Sequence, residues 1–368
     1  MEGFKRWLQV GVVTLVLVVL SLGLSAAGFA SSNYRESRLP QGNAITSPQA
    51  LLQYGLPIDN AAVRELQENI EDIAEQLRAN RRWSAVEADL KKARRILSNR
   101  RDDLLASVPE ASRERAEAAI ATIETEISNV EAAATAQDKI RTAEGRRHIL
   151  ATIGQLEALM VTKFPFEVPE EYSNLPQLKG RATVEIKTNK GTMTAIVDGY
   201  NAPVTAGNFI DLVQRGFYDD IPFVRAEESY VLQTGDPPGK EDGFIDPKTG
   251  EYRTIPLEIR IRSQNQPLYG VTLEEAGLYR ESPVLPFSAF GTLGMAHPDF
   301  DPNGGSSQFF FFLFEPELTP AGLNLLDGRY AVFGYVVDGM DILDKLGKGD
   351  RIESIKVIRG EENLVSPQ

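Results

Sequence analysis

The sequence predicts two domains of different class, an antiparallel helix bundle over residues 47–163 and a strand-dominated domain over residues 180–360. Three observations carry this reading. Through the first region apolar residues recur every three to four positions, the spacing of one helix face. From Ala182 onward they alternate instead, as in a half-buried strand. Between the two lies Phe164-Pro165-Phe166-Glu167-Val168-Pro169 through Leu175-Pro176, where repeated proline stops a helix and holds the chain extended. Residues 164–179 thus read as a semi-rigid linker.

In chain order, Lys5 and Arg6 precede an apolar run from Val10 to Leu24 and a small-residue end at Ser25-Ala26-Ala27-Gly28-Phe29-Ala30. Residues 1–30 have the layout of a secretory signal peptide cleaved after Ala27 or Ala30. The rival reading is a retained anchor, because the apolar run approaches spanning length. Either way the remainder lies beyond a membrane. Residues 31–46 are polar and read as a flexible tether. Val63, Leu66, Ile70, Ile73 and Leu77 then form one apolar seam, and Trp83, Val86, Leu90, Ala93 and Leu97 a second. Pro109 marks a new start, since proline is tolerated in a first turn. Ile120, Ile123, Ile127 and Val130 carry a third seam and Ile149, Ile153, Leu156 and Met160 a fourth. Spacing leaves open whether residues 110–162 are one bent helix or two, with Gly145 weakening the interior. Narrow seams on successive helices bury best against one another, which predicts the antiparallel bundle.

In the second region, Ala182–Lys187 and Thr192–Val197 flank an Asn189-Lys190-Gly191 turn and read as a hairpin. Val204–Arg215 has helical spacing at Phe209, Leu212 and Val213. Gly291–Phe314 reads as two strands joined by loop chemistry at Asp301-Pro302-Asn303-Gly304-Gly305-Ser306-Ser307. The run from Gln308 to Phe314 is too aromatic for a surface element. As a strand it places Gln308, Phe310 and Phe312 on one side and Phe309, Phe311 and Leu313 on the other. An amide beside large rings, opposite a core face, suits a groove that grips a peptide. Residues 361–368 are a polar tail.

The net charge of −13 makes nucleic acid a poor partner, because phosphate recognition needs basic surface. With no cysteine, disulfides and thiolate metal sites are excluded. His148 and His297 are too few and too separated for a metal centre, and no cofactor is expected. Arg78, Arg81, Arg82, Lys91, Lys92, Arg94, Arg95, Arg100 and Arg101 give the bundle a basic region. It reads as a solvated face paired with neighbouring glutamates, or as a docking patch for a membrane surface or acidic partner.

Three ordered blocks carry a resemblance. They are Ala202-Pro203-Val204-Thr205-Ala206-Gly207-Asn208-Phe209 with Phe223-Val224-Arg225-Ala226 and Gln233-Thr234-Gly235-Asp236; then Gly291–Phe314; then Leu325-Leu326-Asp327-Gly328-Arg329-Tyr330-Ala331-Val332-Phe333-Gly334. Together they resemble the cyclophilins, a family of peptidyl-prolyl cis-trans isomerases, over about residues 180–360. The resemblance implies a closed eight-stranded antiparallel β-barrel capped by helices, whose closure removes exposed edges. It also implies catalysis of X–Pro rotation, whose barrier is ~18–20 kcal/mol. No covalent chemistry is needed. Twisting the amide localises its nitrogen lone pair, so a fixed cationic donor aimed there and an apolar pocket for the proline ring suffice.

Carried over by alignment, Arg225 falls on the catalytic arginine, and Gln233 and Gln308 on amides that orient the substrate backbone. Ala296 and His297 fall on the segment contacting the residue before proline, and Phe310 and Leu326 on pocket walls. Tyr230, Val231, Leu325 and Tyr330 stand at further substrate-binding positions and depart from the family's usual phenylalanine, methionine, tryptophan or phenylalanine, and histidine. Val224 replaces a histidine beside the arginine, His297 replaces an asparagine, and Thr234 breaks the usual Gln-Gly-Gly-Asp. These changes predict a smaller, more polar pocket. The long segment from Asp236 to Gly291 is expected to cross the groove mouth. The rival reading of Arg225 is a structural arginine paired with a carboxylate.

Leader, helical region and variant barrel together resemble the forty-kilodalton thylakoid-lumen cyclophilins of plants and cyanobacteria, which carry an N-terminal helical domain. That implies a lumenal or periplasmic protein acting as isomerase, folding chaperone, or both, in photosystem II assembly and maintenance. Its partners would be proline-containing segments of lumenal or membrane proteins, photosystem II subunits among them. The alternative is a non-catalytic peptide-binding scaffold, or a regulator of a membrane protein phosphatase.

Overall fold

The computed structural model describes residues 45–78, 82–313 and 324–367. The expected leader, residues 31–44 of the tether, Arg81 and Phe314 lie outside the described residues. Helix α1 (Pro48–Tyr54) starts on Ser47, whose hydroxyl accepts from Ala50 N, with Pro48 in the first turn. Helices α2 (Ala61–Arg78), α3 (Trp83–Asn99), the short α4 (Arg101–Leu105), α5 (Arg113–Thr135) and α6 (Lys139–Ala158) follow. The apolar seams on α2, α3, α5 and α6 are buried in one shared core, with Trp83 at its margin.

Residues 110–162 resolve into two main helices. The chain breaks at Gln137, whose φ is 55°, and restarts on Asp138, which accepts from Arg141 N at 3.1 Å. Gly145 does not break α6. A Cβ there would stand 2.3 Å from Val130 Cγ2, so glycine lets α5 and α6 approach closely. Much of the basic region is paired: Arg94 with Glu131 at 2.5 Å, Arg100 with Glu65 at 2.6 Å, and Arg101 with Glu124 at 3.2 Å.

The second region is built on β2 (Arg181–Thr188), β3 (Gly191–Asp198), β4 (Arg225–Glu227), β5 (Val231–Thr234), β8 (Thr292–Met295), β9 (Phe309–Phe312), β10 (Val332–Asp338) and β11 (Ile352–Arg359). The pairs β1 (Gln177–Leu178) with β12 (Leu364–Val365), and β6 (Glu258–Ile259) with β7 (Leu268–Tyr269), stand apart from it. The main sheet is antiparallel in the order β11-β2-β3-β10-β8-β9-β5-β4.

This corrects the expected closed barrel: the sheet is curled but open between β11 and β4. Among the described residues an isolated bridge, Pro222 to Arg351, spans the gap, flanked by Phe223 N to Asp350 O at 2.8 Å, Gly349 N to Phe223 O at 3.0 Å and Ile352 N to Ile221 O at 2.9 Å. β4 pairs with β5 alone. One face of the sheet buries Leu232, Phe309, Phe311, Leu293 and Phe333 against helix α7 (Pro203–Gln214). The other face buries Val231, Phe310, Phe312, Val332 and Tyr335, and Leu51 and Leu52 of α1 join that cluster.

The insertion between β5 and β8 supplies a group that local spacing did not announce. Ala202 gives α7 no side-chain cap, and the buried Glu258 takes that place by accepting from Val204 N at 3.0 Å and Thr205 N at 2.9 Å. Burial pushes the Glu258 carboxyl up to about 7, against the lowering effect of those donors. Its folded-state value thus exceeds the unfolded one, and folding takes up a proton between about pH 4.5 and 7. Stability from this group therefore grows as pH falls through that window and is lost as pH rises. Melting at pH 5 is expected to exceed melting at pH 7.5, with Glu258 contributing up to about 3 kcal/mol. A Glu258→Gln protein should show a flatter profile; an unchanged profile would remove Glu258 as the source.

Candidate functional site

Register, not loop placement, assembles the site. Arg225 on β4 faces Gln233 on β5, Gln233 faces Phe310 on β9, and Phe310 faces Gly294 on β8. One row over, Glu227, Val231, Phe312 and Thr292 stand abreast. Period two puts both rows on the same face of the sheet. Cation, amide and ring therefore lie side by side across neighbouring strands.

Each polar member already has a partner. The Arg225 guanidinium pairs with Glu227, Nε at 2.7 Å and Nη2 at 2.5 Å from Oε1, and both side chains are about half exposed. Gln233 Nε2 donates to Gln308 Oε1 at 2.7 Å. Gln308 Nε2 donates in turn to Asp242 O at 2.8 Å and Asp236 Oδ1 at 3.3 Å. Asp236 and Asp242 of the insertion thus take up the donor of the second amide. Burial, and then the charge of Asp242, holds the Asp236 carboxyl above its ordinary value.

The apolar members are tightly enclosed. Val231, Phe310 and Leu326 are 5%, 5% and 9% exposed. Phe287, from the insertion, stacks on Phe310 with ring centroids 5.7 Å apart and planes 8° from parallel. Tyr330 meets the Phe310 ring edge-on at 5.6 Å and stacks on His297 at 4.5 Å. Gly294 makes room for this, since a Cβ there would lie 2.5 Å from Phe310 Cζ and 2.8 Å from Phe287 Cζ. The His297 ring nitrogens face the carbonyl oxygens of Pro298 and Arg329, each at 2.9 Å, so backbone orients the ring. Tyr230 and Ala296 pack at the margin of the cluster, while Leu325 is 79% exposed and stands outside it.

Phe287 is itself held from beneath: Asp327 accepts from its N–H at 2.8 Å, and Asn324 Nδ2 donates to its carbonyl at 2.7 Å. Burial pushes the Asp327 carboxyl up to about 7. Sequence reasoning missed Glu227, Asp242, Phe287 and Gly294. Glu227 had a signal, since residues two apart on a strand share a face. Phe287 and Asp242 had none, because the path of the insertion is not written in local spacing. Among the described residues no group of acidic or histidine side chains is placed to hold a metal.

Residues 183–361 match the family of cyclophilin type peptidyl-prolyl cis-trans isomerases, and residues 47–161 match the PsbQ-like domain of CYP38-like peptidyl-prolyl cis-trans isomerases. The chain is 52% identical to a Synechocystis protein named as a thylakoid lumen peptidyl-prolyl cis-trans isomerase, over 98% of this chain and 96% of that one. It is 46% identical to the chloroplastic peptidyl-prolyl cis-trans isomerase CYP38 of Arabidopsis thaliana, over 90% of this chain and 78% of that one. Among solved structures, a Cryptosporidium parvum cyclophilin is 23% identical over 48% of this chain and 99% of its own, with a TM-score of 0.35.

Proposed function

The chain belongs to the cyclophilin-type peptidyl-prolyl cis-trans isomerases, and on that premise we propose a thylakoid-lumen isomerase that binds proline-containing segments and turns them over slowly. The single observation that carries the chemistry is the row of Arg225, Gln233 and Phe310 on three adjacent strands. It offers a fixed cation for the amide nitrogen, an amide for the substrate backbone and a ring for proline. What supports slow turnover is that Glu227 already engages the cation and Asp242 the second amide. The name of the Synechocystis relative supports a lumenal site of action, and photosystem II assembly is the setting that the sequence resemblance implies.

A second reading is favoured by the enclosure of Val231, Phe310 and Leu326. In it, the protein holds proline segments of unfolded clients without rotating them, as a chaperone. The helical region, read as an antiparallel bundle, then supplies a binding surface, since isomerisation does not need it. A protease-coupled assay on a short Ala-Pro-Phe peptide, run beside binding of an unfolded client, separates the two. Turnover above the uncatalysed rate supports isomerisation, and client binding without turnover supports the chaperone.

Glu227 gives a directional test. Replacing it with Gln frees the Arg225 guanidinium from an exposed ion pair worth about 0.5–1 kcal/mol. The Glu227→Gln protein is expected to turn over peptide about two- to fivefold faster than the parent, with melting unchanged. Slower turnover would show instead that Glu227 positions Arg225 for substrate.

A further inference from the structure

Away from the proline site, α1, α2 and the segment after β6 enclose a cleft of about 350 Å3. Tyr54, Arg64, Glu68, Arg260 and Arg262 line it, with apolar walls from Ile58 and Val284. The three guanidiniums are not equivalent. Arg64 is fully engaged: Nη1 donates to Gln53 O at 2.9 Å, Gln67 Oε1 at 3.0 Å and Glu157 Oε1 at 2.8 Å, and Nη2 to Leu56 O at 3.1 Å. It fixes the wall but offers little to a ligand. Arg260 donates from Nη1 to Asn201 Oδ1 at 3.0 Å, while its buried Nε has no acceptor. Arg262 stands over the Tyr54 ring at 5.7 Å and, among the described residues, has no ion-pair partner.

We infer that this cleft binds a carboxylate presented by a peptide segment, at a site separate from the proline groove. Arg262 carries its charge there without a carboxylate partner among the described residues, and an anion in the cleft supplies one. Two arginines two residues apart in the segment after β6 can both address one planar carboxylate. The shape of the cleft favours an organic carboxylate over free phosphate. The volume exceeds what a bare anion fills, leaving Ile58 and Val284 to meet apolar atoms of the ligand. Burial also holds the Arg260 and Arg64 guanidiniums below their ordinary values; at Arg64 the charge of Glu157 opposes this, and Arg262 and Arg181 add smaller repulsions.

The test is titration calorimetry on the full chain with an end-blocked pentapeptide carrying one central glutamate, its glutamine counterpart, and inorganic phosphate. The glutamate peptide is expected to bind at least about tenfold more tightly than the glutamine peptide. Arg262→Gln should lose that preference while melting as the parent does, because the side chain is exposed. Arg260→Gln should lose it too, and Arg225→Ala should keep it. Equal binding of the two peptides, or full retention in Arg262→Gln, would overturn the proposal. Phosphate binding as tightly as the glutamate peptide would assign the cleft to small inorganic anions instead.

Discussion

Arg225→Ala is expected to lower kcat/KM on an Ala-Pro-Phe peptide by a hundredfold or more while leaving melting within about a degree of the parent. The reasoning is electrostatic. A donor placed in advance where a lone pair develops contributes ~2.7–4 kcal/mol when water is largely excluded. Gln233 and Phe310 bind ground and twisted states alike, whereas the cation meets a localised lone pair only in the twisted one. The loss should therefore fall on kcat more than on KM. The fold should not notice, because the Arg225 side chain is 52% exposed and its ion pair with Glu227 is exposed as well. Equal turnover by parent and variant would remove Arg225 from the mechanism. Near-zero turnover in both, with client binding retained, would leave the chaperone reading standing.

What was legible in the sequence follows from how local each cause is. The seams at Val63–Leu77 and Ile120–Val130 declared helices because a buried stripe forces the three-to-four spacing. The same seams did not reveal why Gly145 is glycine, since the reason is Val130 on another helix. Alternation along Gln308–Leu313 declared which rings share a face, and the strand keeps that division with both faces covered. The opening of the sheet was not legible, because it depends on how few bonds join residues 221–223 to residues 349–352, which lie far apart in sequence. At the site, Arg225 and Gln233 were found through the resemblance, and the β4–β5 register explains why they lie together. The role of Glu258 as the cap of α7 spans residues 204 to 258 in sequence and depends on the folded path of the insertion.

That path also places Phe287, and Phe287→Ala is expected to destabilise the protein by about 3–5 kcal/mol. The ring is 1% exposed, stacks on Phe310 and meets Phe312 edge-on at 5.6 Å, so truncation removes apolar area and two aromatic contacts together. At about 2–4 °C per kcal/mol for a chain of this size, melting should fall by roughly ten degrees. The functional consequence is more specific than the stability loss. Phe287 is pinned through its backbone by Asp327 and Asn324, and its ring backs the ring expected to meet proline. Without that backing Phe310 can turn into the space left behind, so affinity for an Ala-Pro peptide should weaken several-fold. Arg225 sits two strands from β9 and should still act on whatever binds, so kcat should change less than KM. Phe287→Leu, which keeps much of the volume, should restore most of the stability but only part of the affinity, because it lacks the flat face. Unchanged melting in Phe287→Ala would show that the ring is not part of the core. Tighter peptide binding in that variant would show that Phe287 fills space the substrate needs, and the enclosure of Phe310 would then be a block on the site and not its support.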